Sequence, residues 1–491
     1  MKNGLPKSFL FTSFVLLSVT QCSAADESRP REGGRPAPMT IAVDAESPGD
    51  AIPDDFIGLS FETGSVRKDN AGMKGYFFSG DNTQSLRIFE LLGIRHLRIG
   101  GGSVDSNRVA PTDEEIDRLF SFAAESGVKV VYSLRLLNGD LANEVRVARY
   151  VWDRYKEHLD CFAIGNEPDW DSYHTPDPEI RDYPSYLAKW RRFAEAVTAA
   201  IPEARFMGPN TGSNYPVSGA KNTNYGENSW TVNFARDLKG TGLLAQLAQH
   251  NYVGQHADEK SSPWTMIDKM LSASWNERQY PAPYDAVLAP VVREGYTYRL
   301  AESNSFSGQC DGGSNSFATA LFALDYMHWW ARHACSGVNF HNKQWVLNAP
   351  IGMDASGGLF VNPVGYGIMA FKFGGRGNIL PVAADNPRRA NVTAYAVREG
   401  KDIRITLINK EHGRDAREAA VTIRLNAGIE RIETLSLRSP GNDPASGTAL
   451  LGGARIDSTA GWQGEWEAHA GTEPVFEIKP ASALIVNIRA E

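Results

Sequence analysis

Between residues 56 and 341 the chain repeats one pattern: a short apolar run, then a segment whose apolar residues fall at helical spacing. The runs are 56–62, 96–100, 129–134, 161–166, 205–208, 247–252, 298–302 and 338–341. A helix after each strand carries the chain back to the same edge, so successive strands run parallel. Eight such units over about 300 residues close on themselves as a (β/α)8 barrel. Glu114, Ile116, Leu119, Phe120 and Ala123 fit one helix face, and Tyr186, Trp190, Phe193 and Val197 another. After the seventh run, Phe317, Ala320, Leu321, Leu324 and Ala331 share one face, with Phe322, Tyr326, Trp329 and Trp330 read as packing.

Beyond Gly374-Gly375 the pattern changes to strands alone, at 392–397, 402–408, 420–425, 432–437, 475–478 and 484–488, as in a β-sandwich. Residues 40–44 alternate as a strand but are cut off by Pro48, Gly49 and Pro53, and are assigned to that second domain. The fold class is therefore α/β: a (β/α)8 TIM barrel over 53–375 with a C-terminal β-sandwich over 376–491, joined by a strand from 40–52. Residues 1–24 read as a secretion signal, with Lys2 and Lys7 before a short apolar run and Cys22-Ser23-Ala24 as a small-residue cleavage site. That run is too short to cross a bilayer, which needs roughly 20 residues. Residues 25–39, rich in Arg, Pro and Gly, read as a disordered leader. The mature protein is expected to be exported, without a membrane span; whether Cys22 carries a lipid stays open.

The run at 161–166 ends in Asn166-Glu167-Pro168, where the proline forbids further ladder pairing. In a parallel barrel this sets an amide and a carboxyl group at the rim where loops and strand ends converge. A second carboxyl, Glu302, ends the seventh run. Strand ends four and seven face one another across a barrel mouth, and two carboxyl groups about 5 to 5.5 Å apart make a retaining glycosidase. The 10% aromatic content, with 11 Trp, suits surfaces that stack on sugar rings, for which Trp170, Trp345 and Tyr296 are candidates. A formal net charge of −8 argues against nucleic acid or an anionic membrane as partner. No phosphate loop or dinucleotide fingerprint appears, and no cofactor is inferred. His250 and His341 sit at strand ends and read as pocket-lining histidines rather than metal ligands, there being no third ligand at useful spacing. Cys310 and Cys335 flank a helix whose ends lie about 28 Å apart, so no bridge joins them.

Taken together, Leu97-Arg98-Ile99-Gly100-Gly101, Gly165-Asn166-Glu167-Pro168, His250-Asn251-Tyr252, Glu302-Ser303-Asn304-Ser305, the stretch from Asp311 to Ala318 and Gly337-Val338-Asn339-Phe340-His341 resemble glycoside hydrolase family 79, which includes β-glucuronidases and heparanase. The resemblance covers most of the chain from about Thr40. It implies Glu167 as acid/base and Glu302 as nucleophile. Family members that recognise a uronic acid carry a Tyr-Gly segment starting five residues after the nucleophile; here those positions are Ser307 and Gly308. Three readings therefore stay open: a β-glucuronidase, a β-glucosidase-type hydrolase of neutral sugars, and a carbohydrate-binding barrel without turnover. In the first two, Glu302 attacks the anomeric carbon while Glu167, kept protonated by the nearby negative charge and partial burial, releases the leaving group. Asn166 is expected to hold the 2-hydroxyl, Arg98 and Tyr252 to orient Glu302, and Glu62 and Asp105 to accept from sugar hydroxyls or to serve as plain loop carboxylates. The oligomeric state is not legible.

Overall fold

A computed structural model describes residues 36–70, 74–105, 110–169, 177–212, 228–254, 262–343, 346–459 and 461–491. The expected signal segment, most of the leader, Cys22, Trp170 and Trp345 lie outside these residues. Eight strands form one closed barrel: β2 (Ile57–Glu62), β3 (His96–Gly100), β4 (Lys129–Leu134), β5 (Leu159–Ile164), β6 (Phe206–Thr211), β7 (Leu244–Gly254), β8 (Tyr298–Phe306) and β9 (Cys335–His341). Every neighbouring pair is parallel, and β9 closes on β2.

The order follows from local chemistry. The helix Asp113–Ser126 opens on a capping box between Thr112 and Glu115, closes on Gly127 in the left-handed region, and buries Ile116, Leu119, Phe120 and Ala123 against the strands. The helix Tyr183–Ala200 does the same with Tyr186, Trp190, Phe193 and Val197. Inside the barrel, Val131, Cys161, Ala163, Met207, Ala248 and Ala301 form a separate core of small side chains. Below them Arg299, Asn339 and His96 make a polar plug, with Arg299 donating to Asp55 Oδ2 at 2.7 Å and Asn339 Nδ2 2.8 Å from His96 Nδ1. Cys161 and Cys335 are free, buried thiols, so no disulfide joins Cys310 to Cys335.

Strand β1 (Ala37–Val43) pairs in parallel with 419–425 and antiparallel with 382–385, in the second domain. It starts earlier than residue 40 because Pro38 lies where only one side of the strand is paired, a position that needs no second N–H. The other sheet of that domain orders the strands Val392–Glu399, Asp402–Asn409, Ser482–Ala490 and Ile429–Arg438 side by side. Short strands at 378–380 and 382–385, and a hairpin of Ile351–Met353 with Leu359–Val361, are too brief to show periodicity in the sequence.

The helix Ala318–Ala331 departs from expectation. Rather than one apolar face it is buried nearly all round, only Trp329 being partly exposed. The helix Pro363–Gly374 packs along it, and the second domain reaches it through Thr393, Tyr395, Lys410 and the Pro444 and Ser446 carbonyls, so its remaining sides are covered as a helix without amphipathic character requires. Its Asp325 is held across the domain boundary by Lys410 at 2.8 Å, Thr393 at 2.6 Å and Tyr395 at 2.9 Å. One turn on, the His328 ring lies flat on Tyr395, 4.8 Å between centroids, with Nε2 buried and unpartnered among the described residues.

Burial pushes the His328 imidazole down to about 3, outweighing the attraction of Asp325. Between the ordinary value of 6.5 and about 3, the unfolded chain binds a proton that the folded chain does not, so stability falls as pH falls through that window. The slope is at most about 1.4 kcal/mol per pH unit for each such histidine. The thermal midpoint is expected to be lower at pH 5 than at pH 7, and His328→Gln is expected to narrow that gap. An equal gap in the variant contradicts the assignment.

Candidate active site

The mouth of the barrel collects the site from six strands, β2, β3, β5, β7, β8 and β9. Arg98, on β3, points inward, and Gly100 two residues on leaves the space its guanidinium fills; a Cβ there would sit 2.8 Å from Arg98 Cζ. Fully buried, Arg98 donates to Glu302 Oε2 at 2.6 Å, to Asn166 Oδ1 at 2.6 Å and to Ser60 Oγ at 3.1 Å. Tyr252, on β7, donates its hydroxyl to Glu302 Oε1 at 2.8 Å.

Strict alternation would aim Glu302 away from this pocket, since Arg299 and Ala301 already face the barrel interior. The ladder between β7 and β8 slips at this point: Gln249 pairs with Leu300, but His250 pairs with Glu302. The extra residue turns Glu302 inward, the re-aiming that a β-bulge provides next to active sites. Burial alone would raise the Glu302 carboxyl. The fields of His341, His250 and Arg98 outweigh it and bring the group from 4.5 down to about 2, so Glu302 is ionised at neutral pH.

Glu167 lies three residues past the end of β5. Gly165 (φ 78°) and Glu167 (φ 42°) both take the left-handed conformation, which a side-chain-bearing residue adopts only under constraint. The constraint is visible: Glu167 N–H donates to Asn210 O at 2.9 Å, and the carboxyl occupies the space beside Gly212, where a Cβ would come within 2.6 Å of it. The turn lets two consecutive side chains, Asn166 and Glu167, both reach the mouth. Glu167 Oε1 lies 2.9 Å from His250 Nδ1. Burial lowers the His250 imidazole to about 3, which makes this a neutral ring.

Glu167, His250 and Glu302 each place one oxygen or nitrogen within 4.8 Å of the other two. The third group that the sequence spacing did not show beside His250 is thus the carboxyl pair itself. Such a trio could hold a cation, but the Arg98 guanidinium already occupies Glu302 Oε2 and opposes a second positive charge there.

Other sequence candidates fall in different places. Both Asp105 oxygens are turned to backbone: Oδ1 accepts from Leu136 and Leu137 N–H at 2.9 and 2.8 Å, and Oδ2 from Asn166 N–H at 3.1 Å. Asp105 is thereby a strut that fixes the segment bearing Asn166 and Glu167, rather than a group aimed at sugar. Glu62, at the end of β2, accepts from Lys343 Nζ at 2.6 Å and Ser103 N–H at 2.8 Å, and is held well below the usual carboxylate range: burial raises it, and Lys343 and His341 more than offset that. Ser307 donates its N–H to Gly254 O at 3.2 Å, with Gly308 buried beside it. Tyr296 corrects an expectation: it precedes β8, at the opposite end of the barrel, and packs against the core. Ser60, Lys343 and the His250–Glu167 contact carried no sequence signal, because their partners lie far off in the chain.

No family model and no curated protein sequence matches this chain. Among solved structures it is similar to a 4-O-α-L-rhamnosyl-β-D-glucuronidase from Fusarium oxysporum, at 17% identity and a TM-score of 0.68, covering 91% of this chain and 99% of that one. A GH51 arabinofuranosidase from Xanthomonas axonopodis pv. citri follows at 14% identity, TM-score 0.65, 92% and 100% coverage, and a GH39 β-xylosidase from Caulobacter crescentus at 15%, 0.57, 92% and 99%. The chain therefore has the fold of these glycoside hydrolases, a closed eight-stranded parallel barrel followed by a β-domain.

Proposed function

We propose that this protein is an exported retaining β-glycoside hydrolase, of the family 79 type, with β-glucuronides as its substrates. The observation that carries the reading is the approach of Glu167 and Glu302 to within 4.8 Å, oxygen to oxygen. Retaining enzymes hold their carboxyl groups about 5 to 5.5 Å apart, and inverting enzymes about 6.5 to 9.5 Å.

Ionised Glu302 attacks the anomeric carbon and forms a glycosyl ester as the bond to the leaving oxygen breaks; Glu167 gives that oxygen its proton. With Glu302 negative and so close, like-charge repulsion keeps Glu167 protonated. In the tautomer that carries its proton on Nδ1, His250 donates to Oε1 and the acid proton lies on Oε2. Esterification removes the charge of Glu302, so Glu167 can ionise and take a proton from the water that attacks the same carbon from the side the leaving group vacated. Arg98 holds the Asn166 amide in place to receive the 2-hydroxyl, whose hydrogen bond strengthens towards the transition state. Within this reading residues 1–24 are the export signal, 53–375 the catalytic domain and 376–491 a buttress for it.

The likeness to a glucuronidase supports the sugar acid. The second reading, a neutral β-glucoside, is favoured by Ser307 and Gly308, since the Ser307 N–H is already given to Gly254. Release of 4-nitrophenol from its β-D-glucuronide and β-D-glucoside tests both. Faster release from the glucuronide is expected; release from neither, with sugar bound tightly, contradicts catalysis and marks a binding barrel.

A further inference from the structure

We propose that, among the described residues, Lys343 reads the carboxylate of the uronide, a role that rests on the glucuronidase reading above. In a pyranose ring C2 and C5 are diagonal. Asn166, which meets the 2-hydroxyl, follows β5, the fourth barrel strand; the eighth, β9, stands directly across the mouth. The substituent on C5, the only difference between a glucuronide and a glucoside, therefore points at the wall that β9 ends in. Lys343 lies two residues past that end.

The segment after the nucleophile cannot supply the countercharge. It holds no Lys, Arg or His between 303 and 316, and Asn304 Nδ2 is given to Asn348 O at 2.9 Å, Asn348 Nδ2 to Phe306 O at 2.8 Å, while Gln309 turns its Oε1 to Leu347 N–H at 2.7 Å. Arg98 is fully buried and spent on Glu302, Asn166 and Ser60. Lys343 differs, with its side chain 25% exposed. Glu62 takes one of its three N–H donors at 2.6 Å and fixes the ammonium, which also lies in the fields of Glu302 and Glu167. An ammonium so placed can be shared between Glu62 and an incoming carboxylate, making the charge-assisted hydrogen bond that a hydroxymethyl group cannot match.

The test is the ratio of kcat/KM on 4-nitrophenyl β-D-glucuronide to that on the β-D-glucoside. Lys343→Met is expected to lower this ratio about 10-fold or more, through KM on the glucuronide, and Lys343→Arg to keep most of it. Because the single variant leaves Glu62 buried without its partner, the pair Lys343→Met with Glu62→Gln is measured beside it and decides if the single one does not fold. An unchanged ratio, or a wild type that prefers the glucoside, overturns the role of Lys343 while leaving a retaining hydrolase intact. If neither glycoside is cleaved, calorimetry with D-glucuronate and D-glucose decides: selective binding of glucuronate that is lost in the double variant upholds Lys343, and equal binding of both sugars overturns it.

Discussion

Glu302→Ala is expected to lower kcat/KM by about 10⁴-fold or more, roughly 5.4 kcal/mol of barrier at 1.36 kcal/mol per factor of ten. The group lost is the proposed nucleophile, and two others lose their partner with it: Arg98 at 2.6 Å and Tyr252 at 2.8 Å are left facing a void. That void distinguishes a missing nucleophile from a damaged fold. A small anion such as azide can enter it, assisted by the Arg98 guanidinium, and attack the anomeric carbon once. Partial return of activity with azide, giving the α-glycosyl azide, is the expected result. No rescue, together with an unaltered thermal midpoint and residual activity above one part in a hundred, contradicts the role.

Glu167→Ala has an effect that depends on the leaving group. On substrates whose departing oxygen needs a proton, the loss expected of a general acid is about 10² to 10⁴-fold. On 2,4-dinitrophenyl glycosides, whose leaving group needs none, glycosylation is expected to stay fast, while hydrolysis of the ester slows because no base activates water. Azide should then accelerate turnover and yield the β-glycosyl azide, the opposite anomer to that from Glu302→Ala. Equal losses on both classes of substrate would reverse or remove the assigned role.

The barrel strands were legible because strands buried on both faces read as unbroken apolar runs, and the Asn-Glu-Pro stop marked a rim. What the sequence could not carry was the direction of side chains at that rim. Glu302 enters the pocket only because β8 gains a bulge against β7, and a bulge leaves the residue order looking like ordinary strand. Asn166 and Glu167 lie beyond the ladder because Gly165 turns left-handed, so the strand ends at Ile164 rather than at 166. Asp105 has the composition of a sugar ligand and the geometry of a backbone strut, a distinction set by the Leu136 and Leu137 N–H groups some thirty positions away. Lys343 and Glu62 meet across the closure of the barrel, and Tyr296 lies at its far end; neither follows from local pattern. The helix Ala318–Ala331 hid the second domain's grip in the same way, since its outer face is apolar only where another domain covers it.

In the proposed mechanism two carboxyl groups share one anomeric carbon, with separate displacements on its two faces. Proton NMR of the sugar first released from an aryl β-glycoside, recorded before mutarotation, observes that directly. The β-anomer appearing first is the predicted result. The α-anomer appearing first means one displacement by water, and would contradict a covalent role for Glu302.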